Sequence, residues 1–175
     1  MAENLNYAVD SSWCYNDNAD NCAKYGRLYQ WASAMKIAST YNNTIWGGSD
    51  VNHQGICPED WHLPSNDDWQ TLDDYVDANN GDEDVGTSLK STSGWKVNSS
   101  LTTGTDLFGF LALPAGSRSY DGDFNYASTN AFFWSATETS SSYANYWYLN
   151  HSNGGFYNFG SNNENYGFSV RCLKD

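Results

Sequence analysis

Residues 131–172 read AFFWSATETSSSYANYWYLNHSNGGFYNFGSNNENYGFSVRC. Helical spacing fails here and short aromatic-rich runs replace it. Ala131 to Ala136, Asn145 to Asn150, Phe156 to Phe159 and Phe168 to Cys172 each read as a strand. The joints between them are Asn153-Gly154-Gly155 and Gly160-Ser161-Asn162, clusters of turn formers. Alternation along 145–150 places Trp147 and Leu149 on one face, for the core. Tyr146, Tyr148 and Asn150 take the opposite face, with His151 just past the end.

Upstream, Phe108 to Ala115 reads as one more strand, and Asp121-Gly122 as a further hairpin joint. Before Gly94 the grammar is helical. Leu28, Trp31, Ala32, Met35 and Ala38 recur at three- and four-residue steps, predicting one amphipathic helix from about Tyr25 to Ser39. A polar loop, Tyr41 to Gln54, follows. A second helix starts after Pro64, with Ser65 as N-cap and Asp68 standing in for the capping-box acid. Trp69, Leu72, Tyr75 and Val76 form its predicted buried stripe, and Asn79-Asn80-Gly81 ends it. Two helices followed by an antiparallel sheet make the fold class α+β, as a single domain over 1–175. Trp31, Trp61, Trp69, Phe110, Trp134, Trp147 and Phe168 are the expected core.

Composition narrows the function classes. A chain of 175 residues buries roughly two thirds of its unfolded surface. With 21 acidic against 8 basic residues, the net charge of −13 repels phosphate backbones and anionic lipid heads. Nucleic acid is therefore not an expected partner. No run approaches the ~18 apolar residues of a membrane span, so no direct membrane insertion is expected. Met1 to Leu5 lacks the basic and apolar regions of a signal peptide, and the chain reads as a piece of a longer one.

Four cysteines, Cys14, Cys22, Cys57 and Cys172, allow three pairings. None lies in a zinc-ligand spacing. The favoured pairing is a local Cys14–Cys22 bridge across a turn-forming stretch, which leaves Cys57 to join Cys172. Four buried thiols are the alternative. Two disulfides imply export to an oxidising compartment, hence an extracellular or cell-surface location.

Ser140 to Tyr166 is the most distinctive segment: 17 of its 27 residues are Asn, Tyr or Ser, the chemistry of a recognition surface. A return strand through Phe156, Tyr157, Asn158 and Phe159 would extend the Tyr146/Tyr148 face. The candidate ligand-binding residues are Tyr143, Tyr146, Tyr148, Asn150, His151, Phe156, Tyr157, Phe159 and Tyr166. Tyrosine offers a large rigid area with one polar tip, suited to stacking on sugar rings or gripping a protein. A tyrosine-rich face that merely tolerates water is the bland alternative.

No catalytic constellation stands out. His53, His62 and His151 are the three histidines, and Ser65 and Ser135 sit in no Gly-x-Ser-x-Gly elbow. No glycine-rich phosphate loop precedes a helix. The chain is expected not to be an enzyme and to need no cofactor. One candidate cation site is Asp121, Asp123 and Asn125, three oxygen donors at alternating positions that could hold calcium. A plain hairpin turn explains the same residues.

Several stretches coincide, end to end and in order, with a known family. MAENLNY at 1–7, KYGRLYQWASAM at 24–35, GICPEDWHLPS at 55–65, LKSTSGW at 89–95, GTDLFGFLALPAGSRSYDGDF at 104–124, FFWSATE at 132–138 and GFSVRCLKD at 167–175 carry the match. The chain resembles the Fibrobacter succinogenes major paralogous domain. The resemblance implies a C-type lectin-like fold, in the branch of formylglycine-generating enzymes and retroelement-diversified variable proteins. It implies a secreted or lipid-anchored parent chain and, through its fibre-degrading namesake, a carbohydrate ligand. It carries no established activity. Two departures matter: the paired redox cysteines of the oxidase relatives are missing, and Pro58, Pro64 and Pro114 lie outside any calcium-lectin Glu-Pro-Asn motif. The 140–166 segment lies where diversified relatives vary, which leaves a paralogue-variable protein-binding domain as the second reading. A polysaccharide-active enzyme is a remote third.

Overall fold

A computed structural model describes residues 1–97 and 104–175. The first half holds β1 (Ser12–Trp13), α1 (Ala19–Tyr25), β2 (Leu28–Tyr29), α2 (Trp31–Met35), β3 (Trp61–His62), α3 (Asn66–Asn79) and α4 (Val85–Leu89). The second holds β4 (Ser117–Arg118), β5 (Phe124–Asn125), β6 (Asn130–Ser140), β7 (Tyr143–Asn150), β8 (Phe156–Asn163) and β9 (Leu173–Lys174). Helices early and a meander β6-β7-β8 late give the α+β class. Three two-stranded ladders, β1-β2, β4-β5 and β3-β9, surround that sheet, all antiparallel.

The helix expected over Tyr25–Ser39 does not form. Gly26 turns the chain with φ +75°, and a Cβ there would meet Asn4 and the Leu5 carbonyl at 2.8 Å. Leu28 and Tyr29 then pair with β1, and the Tyr29 amide bonds the Phe168 carbonyl at 2.8 Å. The helical spacing of Leu28, Trp31, Ala32 and Met35 is real, since all four are buried. Tertiary pairing, however, pulls Leu28 into a strand, and Lys36 in the left-handed region stops α2 after one turn.

α3 begins as its sequence predicts. The Ser65 hydroxyl accepts from the Asp68 amide while the Asp68 carboxylate accepts from the Ser65 amide, a complete capping box. Trp69 and Val76 are buried and Leu72 half-buried, but Tyr75 turns outward against Phe108.

Three strand expectations change. Phe108–Ala115 is a loop: Gly109 and Leu111 have positive φ, and Asp106 accepts from the Leu111 amide. The carbonyls of Phe110 and Leu111 receive the guanidinium of Arg171, which also donates to Asn4 and the Met1 carbonyl. Phe168–Cys172 is an extended segment held by single bridges, Tyr29–Phe168 and Phe133–Ser169, and only Leu173–Lys174 makes a ladder. Gly160-Ser161-Asn162 is no joint but the middle of β8. Two residue steps on β7 (Asn145 to Trp147) face three on β8 (Ser161 to Asn158), so an extra residue bulges at Phe159-Gly160, with Gly160 at φ +87°.

β6 carries core on both of its faces. Phe133, with Trp69, Trp147, Leu149 and Phe156, fills the side under α3. Trp134, with Trp31, Tyr29, Phe168 and Val170, fills the other. Trp61 and Phe110 sit at the margins, half-buried. Buried indoles find acceptors: Trp31 donates to the Ser135 carbonyl at 2.9 Å, Trp134 to that of Tyr29 at 2.7 Å, and Trp147 to the Asn66 side chain at 3.0 Å. Cys14–Cys22 and Cys57–Cys172 are both bonded, chemistry that persists in a non-reducing environment. Among the described residues no helix is long and apolar enough to cross a membrane.

Candidate ligand-binding face

The second core stops short of the outer end of the sheet, and there the same face lies open. Tyr146 and Tyr148 project from β7, opposite Trp134 and Phe132 of β6. Tyr148 lies opposite Tyr157 on β8, their ring centroids 5.4 Å apart, and Phe159 meets Tyr148 edge-on at 5.7 Å. The row continues inward. Phe132 stacks on Tyr148 at 5.9 Å and on buried Phe168 at 5.0 Å, and Tyr146 lies 5.3 Å from Phe168. Tyr166 packs beside Phe168, and Tyr120 beside Tyr166 at 5.7 Å.

The phenols on this face crowd one another. Burial and the neighbouring Tyr148 raise the pKa of Tyr146, and burial and Tyr157 do the same to Tyr148. Tyr166 is raised by burial and by Tyr120, Asp121, Tyr126 and Tyr143 around it. All three thus stay neutral at pH 7, each able to donate and accept.

Of the nine residues expected from sequence, Tyr146, Tyr148, Tyr157, Phe159 and Tyr166 share this face, whereas Tyr143 lies exposed at the start of β7, opposite Asn163 of β8. Phe156 does not belong with them. It is 6% exposed and packs on Trp147 at 4.8 Å and on Trp69 at 5.9 Å. Strand alternation is the reason: Tyr157 and Phe159 share a face, and Phe156 must take the other. Asn158 likewise turns to the core side and donates to Asn66 at 2.6 Å. Asn150 closes the turn after β7, its Oδ1 accepting from the Ser152 amide and hydroxyl. His151 is tied by its backbone to the Thr129 carbonyl at 2.8 Å.

Of the Asp121, Asp123 and Asn125 side-chain oxygens, that of Asp121 is engaged within the β4-β5 hairpin. The Asp121 carboxylate accepts from the Ser119 hydroxyl and, at 3.4 Å, from the Asp123 amide, and Asn125 donates to the Asp123 carbonyl. Those hydrogen bonds, the hydroxyl foremost, hold the Asp121 carboxyl below the usual range. Among the described residues no three His, Cys, Asp or Glu side chains gather as a metal cluster.

His62 is buried, with Nδ1 2.6 Å from the Asp175 carboxylate and Nε2 3.5 Å from that of Asp68. The nearby Ser65 hydroxyl donates to Asp68 at 2.7 Å. A nucleophilic serine needs its hydroxyl on the imidazole, with the acid behind it; here the acid takes the hydroxyl proton.

Sequence reading missed Phe132, Tyr126 and Tyr120. Phe132 sits between buried Ala131 and Phe133, and only the register opposite Tyr148 shows that it belongs to the open face. Tyr120 and Tyr126 flank the Asp121-Gly122 hairpin, and Tyr126 packs on Phe132 at 5.9 Å. Their nearness to that turn, Tyr120 directly before Asp121 and Tyr126 just after β5, was the available signal.

No curated protein and no solved structure matches the chain significantly. The Fibrobacter succinogenes major domain model matches residues 1–174, and the chain belongs to that family.

Proposed function

We propose that this chain is a secreted or cell-surface binding module of C-type lectin-like fold that holds carbohydrate against its open aromatic face, without catalysis. The observation that carries this reading is the row of rings Phe132, Tyr146, Tyr148, Tyr157 and Phe159, neighbours about 5–6 Å apart, to which Tyr166 and Tyr120 are joined through buried Phe168. Tyr120, Tyr126, Tyr157 and Phe159 are exposed, and so large an apolar area on water is a mark of an interaction surface. Pyranose rings present C–H faces that stack on such side chains, and their hydroxyls suit the neutral phenols and surrounding amides. A net charge of −13 favours a neutral glycan over an acidic one. A protein ligand is the second reading, favoured by the tyrosine, asparagine and serine composition of 140–166, which resembles an antibody paratope.

A glycan array and a pull-down on insoluble neutral fibre, each with and without EDTA, test the reading. Saturable binding is expected to weaken at least tenfold in Tyr146→Ala/Tyr148→Ala, about 1.4 kcal/mol or more. Because Tyr146 is half-buried, Tyr157→Ala/Phe159→Ala serves as a second variant whose fold rests on other residues. Binding unchanged in both would remove the face from consideration, and a blank across all glycans would move the weight to a protein ligand.

A further inference from the structure

Glu164, the residue after β8, is fully buried at 0% exposure. Its backbone is fixed on both sides: its amide donates to the Ser142 carbonyl and its carbonyl accepts from the Trp31 amide, both at 3.0 Å. The side chain therefore stays inside. Among the described residues, neither carboxylate oxygen has a hydrogen-bond donor, and both are shut off from solvent. A buried carboxylate without a cation or donors is strongly unfavourable. Protonation alone does not repair this, because a neutral carboxylic acid still carries an O–H and a C=O that both need partners.

The charge that acts on Glu164 is another acid, Glu138 of β6, and burial together with that charge pushes the Glu164 carboxyl up to about 8. Glu138 is half-buried, and its oxygens accept from the Trp46 amide at 2.9 and 3.1 Å and from the Gly47 amide at 3.1 Å. Those N–H groups orient the carboxylate and leave it spare lone pairs. The backbone brings the two acids to one end of the sheet: Glu138 lies opposite Ala144 of β7, the Glu164 amide holds the Ser142 carbonyl just before β7, and the Trp31 and Trp46 that bond them have rings 6.2 Å apart.

We propose that Glu164 and Glu138 together bind a hard divalent cation of the calcium class, which fastens the Trp46-Gly47 loop to the ends of β6 and β8. Carboxylate oxygens select such ions over zinc or copper, and calcium completes its shell with carbonyl and water oxygens. A chain of net charge −13 attracts cations generally, but among the described residues only this pair offers a buried carboxylate in need of one. The cation would turn the repulsion between the two acids into shared ligation. This site is independent of whatever the aromatic face binds.

Two tryptophans report on the seam: Trp31 and Trp46 each bond to one of the two glutamates through the backbone, and their rings lie 6.2 Å apart. The test is tryptophan-sensitised terbium luminescence on the intact, oxidised chain stripped with chelator, followed by thermal melts with and without calcium. Saturable emission at one equivalent, displaced by calcium, is expected, with a calcium-dependent rise in Tm. Both should weaken at least tenfold in Glu164→Gln and in Glu138→Gln, and persist in Asp121→Asn. The second glutamine variant covers the case in which Glu164→Gln fails to fold. No emission, emission that never saturates, or emission equal in wild type and both glutamine variants would overturn the proposal. Loss in Asp121→Asn alone would place the ion at the hairpin and overturn it too.

Discussion

Phe156 and Phe159 stand three residues apart on one strand, and the first is sealed against Trp69 and Trp147 while the second is 71% exposed. Alternation and the bulge at Gly160 separate their roles. Phe156→Ala is expected to lose about 3–5 kcal/mol of stability, as core phenylalanines do. Phe159→Ala should stay within about 0.5 kcal/mol of wild type while weakening ligand capture. Urea titrations of both variants check the contrast; equal losses would mean that the two residues are not on opposite faces.

The two disulfides close loops of very different length, 8 and 115 residues in separation. On the loop-entropy account, Cys57–Cys172 contributes about 5 kcal/mol and Cys14–Cys22 about 2–3 kcal/mol. Cys57→Ser/Cys172→Ser should therefore unfold at a clearly lower urea midpoint than Cys14→Ser/Cys22→Ser. The reverse order would show that the local bridge supports more structure than its own turn.

At the start of α3, Ser65→Ala removes the hydroxyl that accepts from the Asp68 amide and should cost about 1 kcal/mol, whereas Ser65→Thr should keep most of it. Thermal melts of the pair distinguish capping from packing. If threonine melts as low as alanine, space around this buried position decides the outcome, not the cap.

Much of this architecture was legible before any coordinates. The α3 start was readable because capping chemistry is local, confined to Ser65 and Asp68. Trp147 and Leu149 against Tyr146 and Tyr148 was readable because period-two alternation needs no partner strand. The Tyr25–Ser39 helix failed because Leu28 and Tyr29 are recruited by β1 and by Phe168, nearly 140 positions downstream, and nothing in the local spacing records that. Phe156 was misplaced by following composition where alternation should have ruled. Phe132, Tyr120 and Tyr126 join the face only through register and through the approach of a separate hairpin. Glu164 was invisible as well, since a lone acid in an asparagine-rich run reads as solvated.

The alkaline limb of stability should trace to Tyr29. Its hydroxyl accepts from the Tyr7 amide at 3.0 Å and donates to the Tyr7 carbonyl at 2.9 Å, and burial raises its pKa far above the ordinary phenol value. In the unfolded chain it ionises near 10. Above that pH the unfolded state binds fewer protons than the folded one, so stability falls as pH rises. Tyr29→Phe should lose about 1–3 kcal/mol at pH 7, through the stranded Tyr7 groups, yet decline less steeply from pH 10 to 11. Parallel declines in urea titrations would assign the limb to other phenols.

Because β6 is packed on both sides while the outer ends of β7 and β8 are packed on one, the molecule separates what must be kept from what can be rewritten. The rings of Tyr157 and Phe159 meet Tyr148 and neither buried core directly, so the fold would survive a new alphabet there. For a protein engineer that is a graftable display surface: a stapled scaffold whose specificity can be randomised at a few outward positions of one edge hairpin.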